Sequence, residues 1–173
     1  MRNFKQILDD IKAFAFDVDG VLTDGSVMLM SNGEQLRSLD SKDAYALQLA
    51  IKKDFKIAII TGGNSEQVKL RMTELGIKDV FLRSHVKIDV FEDWLLANDL
   101  KAEQVLYMGD DIPDYEILKK VQASTCPADA ASEIKQICLY VSNKGGGKGC
   151  VRDVVEQVLR TQNKWLDNDA FKW

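Results

Sequence analysis

The chain predicts an α/β fold, an open, Rossmann-like parallel sheet with helices on both faces. Two observations carry this expectation. Short apolar and β-branched runs alternate with longer amphipathic stretches along most of the sequence, as they do where crossover helices join parallel strands. Several of the apolar runs also stop abruptly at Asp, Thr-Gly or Gly-Asp, and the carboxyl ends of parallel strands are where such sheets form their ligand crevice. A length of 173 residues suits a single domain spanning 1–173 with a sizeable core.

The first strand is expected over Ala13, Phe14, Ala15 and Phe16, running into Asp17, Val18, Asp19 and Gly20. Asn32-Gly33 lies between the apolar stretches 27–30 and 35–39. That dipeptide is a strong hairpin signal, so a β-hairpin over about 26–39 is inserted after the first strand. Residues 55–60 read as a buried strand ending at Thr61, Gly62 and Gly63, with Asn64 capping a helix that stops at Gly76. A short strand over 80–82 precedes a helix from Lys87, in which Trp94 is a core residue. The run 104–108 is the next strand, closing at Gly109, Asp110 and Asp111. Helices over 115–121, 130–137 and 151–161 then alternate with weaker strands near 123–126 and 139–141. Residues 143–149, with four glycines and two lysines, read as a flexible cationic segment. Trp165 and Trp173 lie beyond the last helix as tail anchors or disordered residues.

Composition excludes several classes. A net charge of -4 with no basic run argues against a nucleic-acid partner. No stretch approaches the roughly 20 apolar residues of a membrane span, so no membrane partner is expected. Cys126, Cys138 and Cys150 are odd in number and form no C-x-x-C pair, which favours reduced thiols over a disulfide framework or zinc site. The expected location is the cytoplasm.

The strand ends, read together, form a chemical constellation. Asp17 and Asp19 leave the first strand on the same side, because side chains alternate along an extended chain. Two carboxylates so close repel unless a cation lies between them, and hard divalent ions favour oxygen ligands. Phosphate-monoester hydrolysis needs a nucleophile, a cation, donors for the phosphoryl oxygens and a proton donor for the leaving alcohol. Asp17 is the candidate nucleophile and Asp19 the acid/base. Asp17, the backbone carbonyl of Asp19 and Asp110 are the candidate magnesium ligands. Thr61, Gly62 and Lys87 are the candidate phosphate-binding residues. His85, next but one to Lys87, is left without an assigned role because the aspartates already supply acid/base chemistry.

These residues closely resemble the four motifs of the haloacid dehalogenase superfamily of phosphohydrolases: Asp17-Val18-Asp19-Gly20-Val21, Thr61, Lys87, and Gly109-Asp110-Asp111 with Asp114. The resemblance implies an aspartyl-phosphate at Asp17, acid/base catalysis by Asp19, phosphoryl binding by Thr61 and Lys87, and magnesium at Asp110. It gives Asp111 and Asp114 supporting roles. Gaps of 44, 26 and 23 positions separate Asp17, Thr61, Lys87 and Asp110 in turn, leaving no room for a cap domain. The hairpin, the stretch Asp17 to Gly25 and the stretch Gly146 to Asp153 are similar to the capless subfamily whose members include phosphatases of 3-deoxy-D-manno-octulosonate 8-phosphate. That likeness implies a homotetramer joined through the hairpins. It further implies a neighbour's tail over each site, bringing Lys148 to the substrate in trans.

Two departures affect substrate choice: Gly63 stands where many relatives have a long basic residue, and Lys148 replaces a frequent arginine. Gly63, Arg71 and Lys148 are the expected sugar-contacting positions, with Lys42 and Arg83 as further compensating cations. The alternatives are a nonulosonate 9-phosphate phosphatase or, from another class, an aspartate-phosphorylated receiver domain.

Overall fold

The computed structural model describes residues 3–172. Among them, six parallel strands form one sheet in the order β5-β4-β1-β6-β7-β8. The strands are β1 (Ala13–Phe16), β4 (Lys56–Ile60), β5 (Asp79–Phe81), β6 (Val105–Met108), β7 (Ala123–Cys126) and β8 (Tyr140–Val141). The expected hairpin is present as β2 (Met28–Leu29) and β3 (Gln35–Leu36), antiparallel and apart from the main sheet. The helices are α1 (Phe4–Ile7), α2 (Ser41–Lys52), α3 (Glu66–Glu74), α4 (Lys87–Ala97), α5 (Tyr115–Lys120), α6 (Ser132–Ile137) and α7 (Cys150–Thr161).

Strand periodicity divides the core into two layers. Phe14, Phe16, Ile57, Ile59, Leu106 and Met108 face one layer, completed by α2, α3 and α7. Ala13, Ala15, Ala58, Ile60, Val105 and Tyr107 face the other, completed by α4, α5 and α6. All four residues of β1 are therefore buried, which explains its unbroken apolar run: both faces are covered.

Three sequence expectations need correction. Helix α2 was not expected, yet Asp40 caps it by accepting from the Lys42 and Asp43 amides at 2.7 and 3.1 Å. Its Ala44, Leu47 and Ala50 are buried, an apolar stripe at helical spacing that follows closely on the hairpin. Helix α3 is capped by Ser65, whose Oγ accepts from Val68 N at 3.3 Å, and not by Asn64.

The third correction concerns residues 143–149, which are packed against the rest of the chain. Gly147 N donates to Val21 O at 2.9 Å, Gly146 N to Asp129 Oδ1 at 2.9 Å, and Ala128 N to Lys144 O at 2.8 Å. A Cβ at Gly146 would lie 2.0 Å from Gly20 O, so only glycine allows this loop to approach the turn after β1. Beyond it, α7 buries Val151, Val154, Val155, Val158 and Leu159. The remaining chain folds back onto α2: Trp165 is buried between Arg152 and Arg160 and meets Tyr45 edge-on. Trp173 lies outside the described residues. Among those residues, no helix is long and apolar enough to cross a membrane.

Candidate active site at the carboxyl edge of the sheet

Register delivers the strand ends together. Phe16 is level with Ile59 on one side and Met108 on the other. Asp17, Thr61 and Gly109 therefore emerge at one edge, and Asp17 N donates to Met108 O at 3.1 Å to hold its turn. A hollow of about 350 Å³ there is lined by Asp17, Asp19, Thr61, Gly62, Gly63, Lys87, Asp110, Asp111 and Asp114, joined by Ser84, His85 and Pro113.

Lys87, buried at the first turn of α4, sits at the centre. Its Nζ lies 2.9 Å from Asp17 Oδ1 and 2.8 Å from Asp114 Oδ1. Asp114 is fully buried and also accepts from Tyr107 OH at 2.5 Å and from Asp110 N at 3.2 Å. With both oxygens engaged, Asp114 is a strut that sets Lys87 and the Asp110 backbone. Asp111 caps the following turn by accepting from Ile112 N at 2.8 Å.

Carboxylates outnumber cations here. Burial, then repulsion from Asp114, pushes Asp17 up to about 7 even though Lys87 opposes the rise. Asp110 is likewise pushed up to about 7, first by burial and then by Asp114. Oxygens of Asp17, Asp110 and Asp114 lie within 4.8 Å of one another, and the buried Asp110 Oδ1 has no hydrogen-bond partner. Such an array of oxygen donors, with surplus negative charge and an unsatisfied buried oxygen, fits a hard divalent cation.

The turn after β1 is shaped by Gly20, whose φ of +91° and close approach to Asp110 exclude a side chain; a Cβ there would lie 2.0 Å from Asp110 Oδ2. Thr61 Oγ1 accepts from Gly63 N at 3.1 Å, which leaves its hydroxyl proton free to donate into the hollow.

One residue of the site carries no signal in the sequence. Arg37, just beyond β3, reaches Asp19 with Nε to Oδ1 at 2.6 Å and Nη2 to Oδ2 at 3.1 Å. Asp19 and the guanidinium form a two-pronged pair that raises the Arg37 pKa. Nothing local marks it, because 18 residues separate the partners and only folding of the hairpin brings them together.

Several expected sugar contacts lie elsewhere in the subunit. Arg71 is on α3 paired with Glu74 at 3.3 Å. Arg83 lines a separate groove with Asn64 and Lys69. Lys148 is exposed, 3.6 Å from Asp24, and with Lys42, Lys144, Arg152 and Arg160 lines a groove along α7. Neither Arg71 nor Lys148 enters the carboxylate hollow.

No protein-family model matches the chain. It is 35% identical over 156 residues to the 3-deoxy-D-manno-octulosonate 8-phosphate phosphatase KdsC of Escherichia coli K12, covering 90% of this chain and 83% of that protein. The chain belongs to the KdsC phosphatase family of the haloacid dehalogenase superfamily. Members are phosphoric-monoester hydrolases. A solved HAD superfamily (subfamily III A) hydrolase from Legionella pneumophila matches with TM-score 0.90 and 28% identity, covering 93% of this chain and 88% of that one. The 3-deoxy-D-manno-octulosonate 8-phosphate phosphatase of Moraxella catarrhalis, solved with magnesium, phosphate and KDO, matches with TM-score 0.89 and 30% identity over 92% of both chains.

Proposed function

We propose that the protein is a magnesium-dependent phosphatase that hydrolyses 3-deoxy-D-manno-octulosonate 8-phosphate through an aspartyl-phosphate at Asp17. The observation that carries this reading is Lys87 bridging Asp17 and Asp114 beside the unpartnered oxygen of Asp110, in a chain 35% identical to an enzyme of that name. Asp17 attacks phosphorus, and Lys87 holds its carboxylate in place and balances charge. Thr61 and the Gly62 amide donate to the phosphoryl oxygens. Asp19 gives its proton to the leaving sugar oxygen, then takes one from the water that cleaves the aspartyl-phosphate.

Asp17, Asp110 and the backbone carbonyl of Asp19 would hold magnesium. When bound, the ion supplies positive charge opposite the phosphoryl oxygens. The Moraxella phosphatase, solved with magnesium, phosphate and KDO together, supports both the cofactor and the sugar acid.

The exposed Met28, Leu29, Met30 and Leu36 of the hairpin support a homotetramer joined there, since apolar edge hairpins tend to be covered. In that assembly Lys148 would act across the interface. The reading places the enzyme in the cytoplasm, supplying a sugar acid for a cell-surface glycan.

Parallel steady-state kinetics on octulosonate 8-phosphate and a nonulosonate 9-phosphate test the substrate. A clear preference for the eight-carbon acid is expected. Equal or reversed preference would transfer the assignment to the nine-carbon acid. Stable phosphorylation without turnover would instead indicate a receiver domain.

A further inference from the structure

Arg37 stands between two hollows. Its guanidinium grips Asp19 in the carboxylate site, while the residue also lines a neighbouring groove of about 410 Å³ with Glu34, Gln35, Asn64, Ser65, Glu66 and Gln67. Among the described residues that line the groove Arg37 is the only cation, and two of the others are carboxylates. Gly63, on the carboxylate side, lies close to both partners. A Cβ there would lie 3.3 Å from Thr61 Oγ1, 3.5 Å from Asp19 Oδ2 and 3.6 Å from Arg37 Nη2, so a longer side chain at this position would crowd the Asp19–Arg37 pair.

This arrangement conflicts with the chemistry required of Asp19. A carboxylate held by two guanidinium N–H groups has both oxygens engaged as acceptors, and so held it cannot turn toward a leaving alcohol. For the first half-reaction the pair must open. Opening it in an empty pocket would strand a guanidinium beside a site without its partner, which is costly. A second carboxylate arriving in the groove removes that cost by taking over the guanidinium.

We propose that Arg37 is a latch worked by the carboxylate of the substrate. At rest it immobilises Asp19. When a phosphorylated sugar acid binds, its carboxylate enters the groove and takes Arg37 from Asp19, which is then free to turn toward the scissile oxygen. A phosphate ester without a carboxylate leaves the latch closed and is hydrolysed slowly even when it binds. Arg37 is thus a positioning residue for Asp19 as well as a contact for the acid. Its position makes selectivity a property of kcat as well as KM, because binding energy from the remote carboxylate is used at the reacting centre. The inference rests on the sugar-acid reading above.

The test compares octulosonate 8-phosphate with glucose 6-phosphate, an alkyl phosphate without a carboxylate, in the wild type, Arg37→Gln and Arg37→Lys. In Arg37→Gln, kcat/KM for the sugar acid should fall roughly 30-fold, as for loss of one charged hydrogen-bonded contact, mostly through KM. The kcat for glucose 6-phosphate should rise several-fold, because Asp19 is released. Arg37→Lys should recover part of the loss on the acid while keeping the gain on the neutral sugar, since an ammonium lacks the two-pronged grip.

A fall in kcat on both substrates would mean that Arg37 only supports the site. An unchanged kcat on glucose 6-phosphate would make it a simple carboxylate binder; either result overturns the latch. Failure of the wild type to hydrolyse octulosonate 8-phosphate would instead overturn the functional reading. The change in kcat on the neutral sugar would still decide whether Arg37 restrains Asp19.

Discussion

Lys87 Nζ lies 2.9 Å from Asp17 Oδ1, and both side chains are almost completely buried. A buried ammonium next to this carboxylate orients it and offsets part of its charge, yet Asp17 is still pushed up to about 7 because burial and Asp114 outweigh Lys87. The pair is electrostatically incomplete.

Asp17→Asn should abolish turnover, by at least about 10⁴-fold, as loss of a nucleophile does in other hydrolases. Circular dichroism should show the fold unchanged. Near-normal release of phosphate by this variant would refute the nucleophile assignment.

The pH dependence has a definite sign. Asp17 and Asp110 sit near 7 in the fold, against an ordinary value of 3.8. Between these values the native state holds protons that the unfolded chain has released. Metal-free protein should therefore lose stability as pH rises from about 4 to 7. Asp43, pushed up to about 6 chiefly by burial, adds to that slope but not to the magnesium response. Magnesium must displace the protons on Asp17 and Asp110, so its rise in melting temperature should be larger at pH 8 than at pH 6. Equal shifts at the two pH values would contradict this ligand set.

Removing Asp114 leaves Lys87, Tyr107 OH and the Asp110 amide without their shared acceptor. Asp114→Ala should cost about 3–5 kcal/mol, the range for breaking a buried charge pair. Tyr107→Phe, which deletes one donor, should cost about 1–2 kcal/mol. Urea unfolding of the two variants measures the difference, and equal effects would show that Asp114 is not the hub.

Gly146→Ala places a methyl 2.0 Å from Gly20 O. The loop has to move, and the change should cost about 2 kcal/mol, as overpacking commonly does. Turnover should fall as well, because the displaced turn carries Asp19. Thermal denaturation together with kinetics checks both effects. Truncation at Gly145 is a poorer experiment, because it also removes the buried face of α7.

Leu29→Lys on the exposed hairpin should convert an oligomer to a smaller species in a sizing measurement at low micromolar concentration, without loss of helical signal. An unchanged elution position would place any interface elsewhere.

The alternation of apolar and amphipathic runs was enough to specify the parallel sheet, since strand and helix periods are local properties. Asp17, Thr61, Lys87 and Asp110 were legible for a related reason: each follows an apolar run, and in a parallel sheet those runs end at one edge. Helix α2 was less visible because its cap, Asp40, follows directly on the hairpin and interrupts the simple alternation.

Other features depend on distant parts of the chain and emerge only on folding. Four glycines in seven residues suggest a mobile segment, but Gly146 is small because Gly20 O lies against it, 126 positions earlier in the chain. Arg71 and Lys148 have the right charge for a sugar acid, yet α3 and the α7 entry carry them away from the carboxylate hollow. Arg37 has no motif around it and joins Asp19 only because the hairpin folds over the sheet edge. Local periodicity in the amino-acid order is thus sufficient to say which chemical groups stand at the strand ends. Which cation meets which carboxylate was set by packing, because such pairing depends on distances of a few ångströms between segments far apart along the chain.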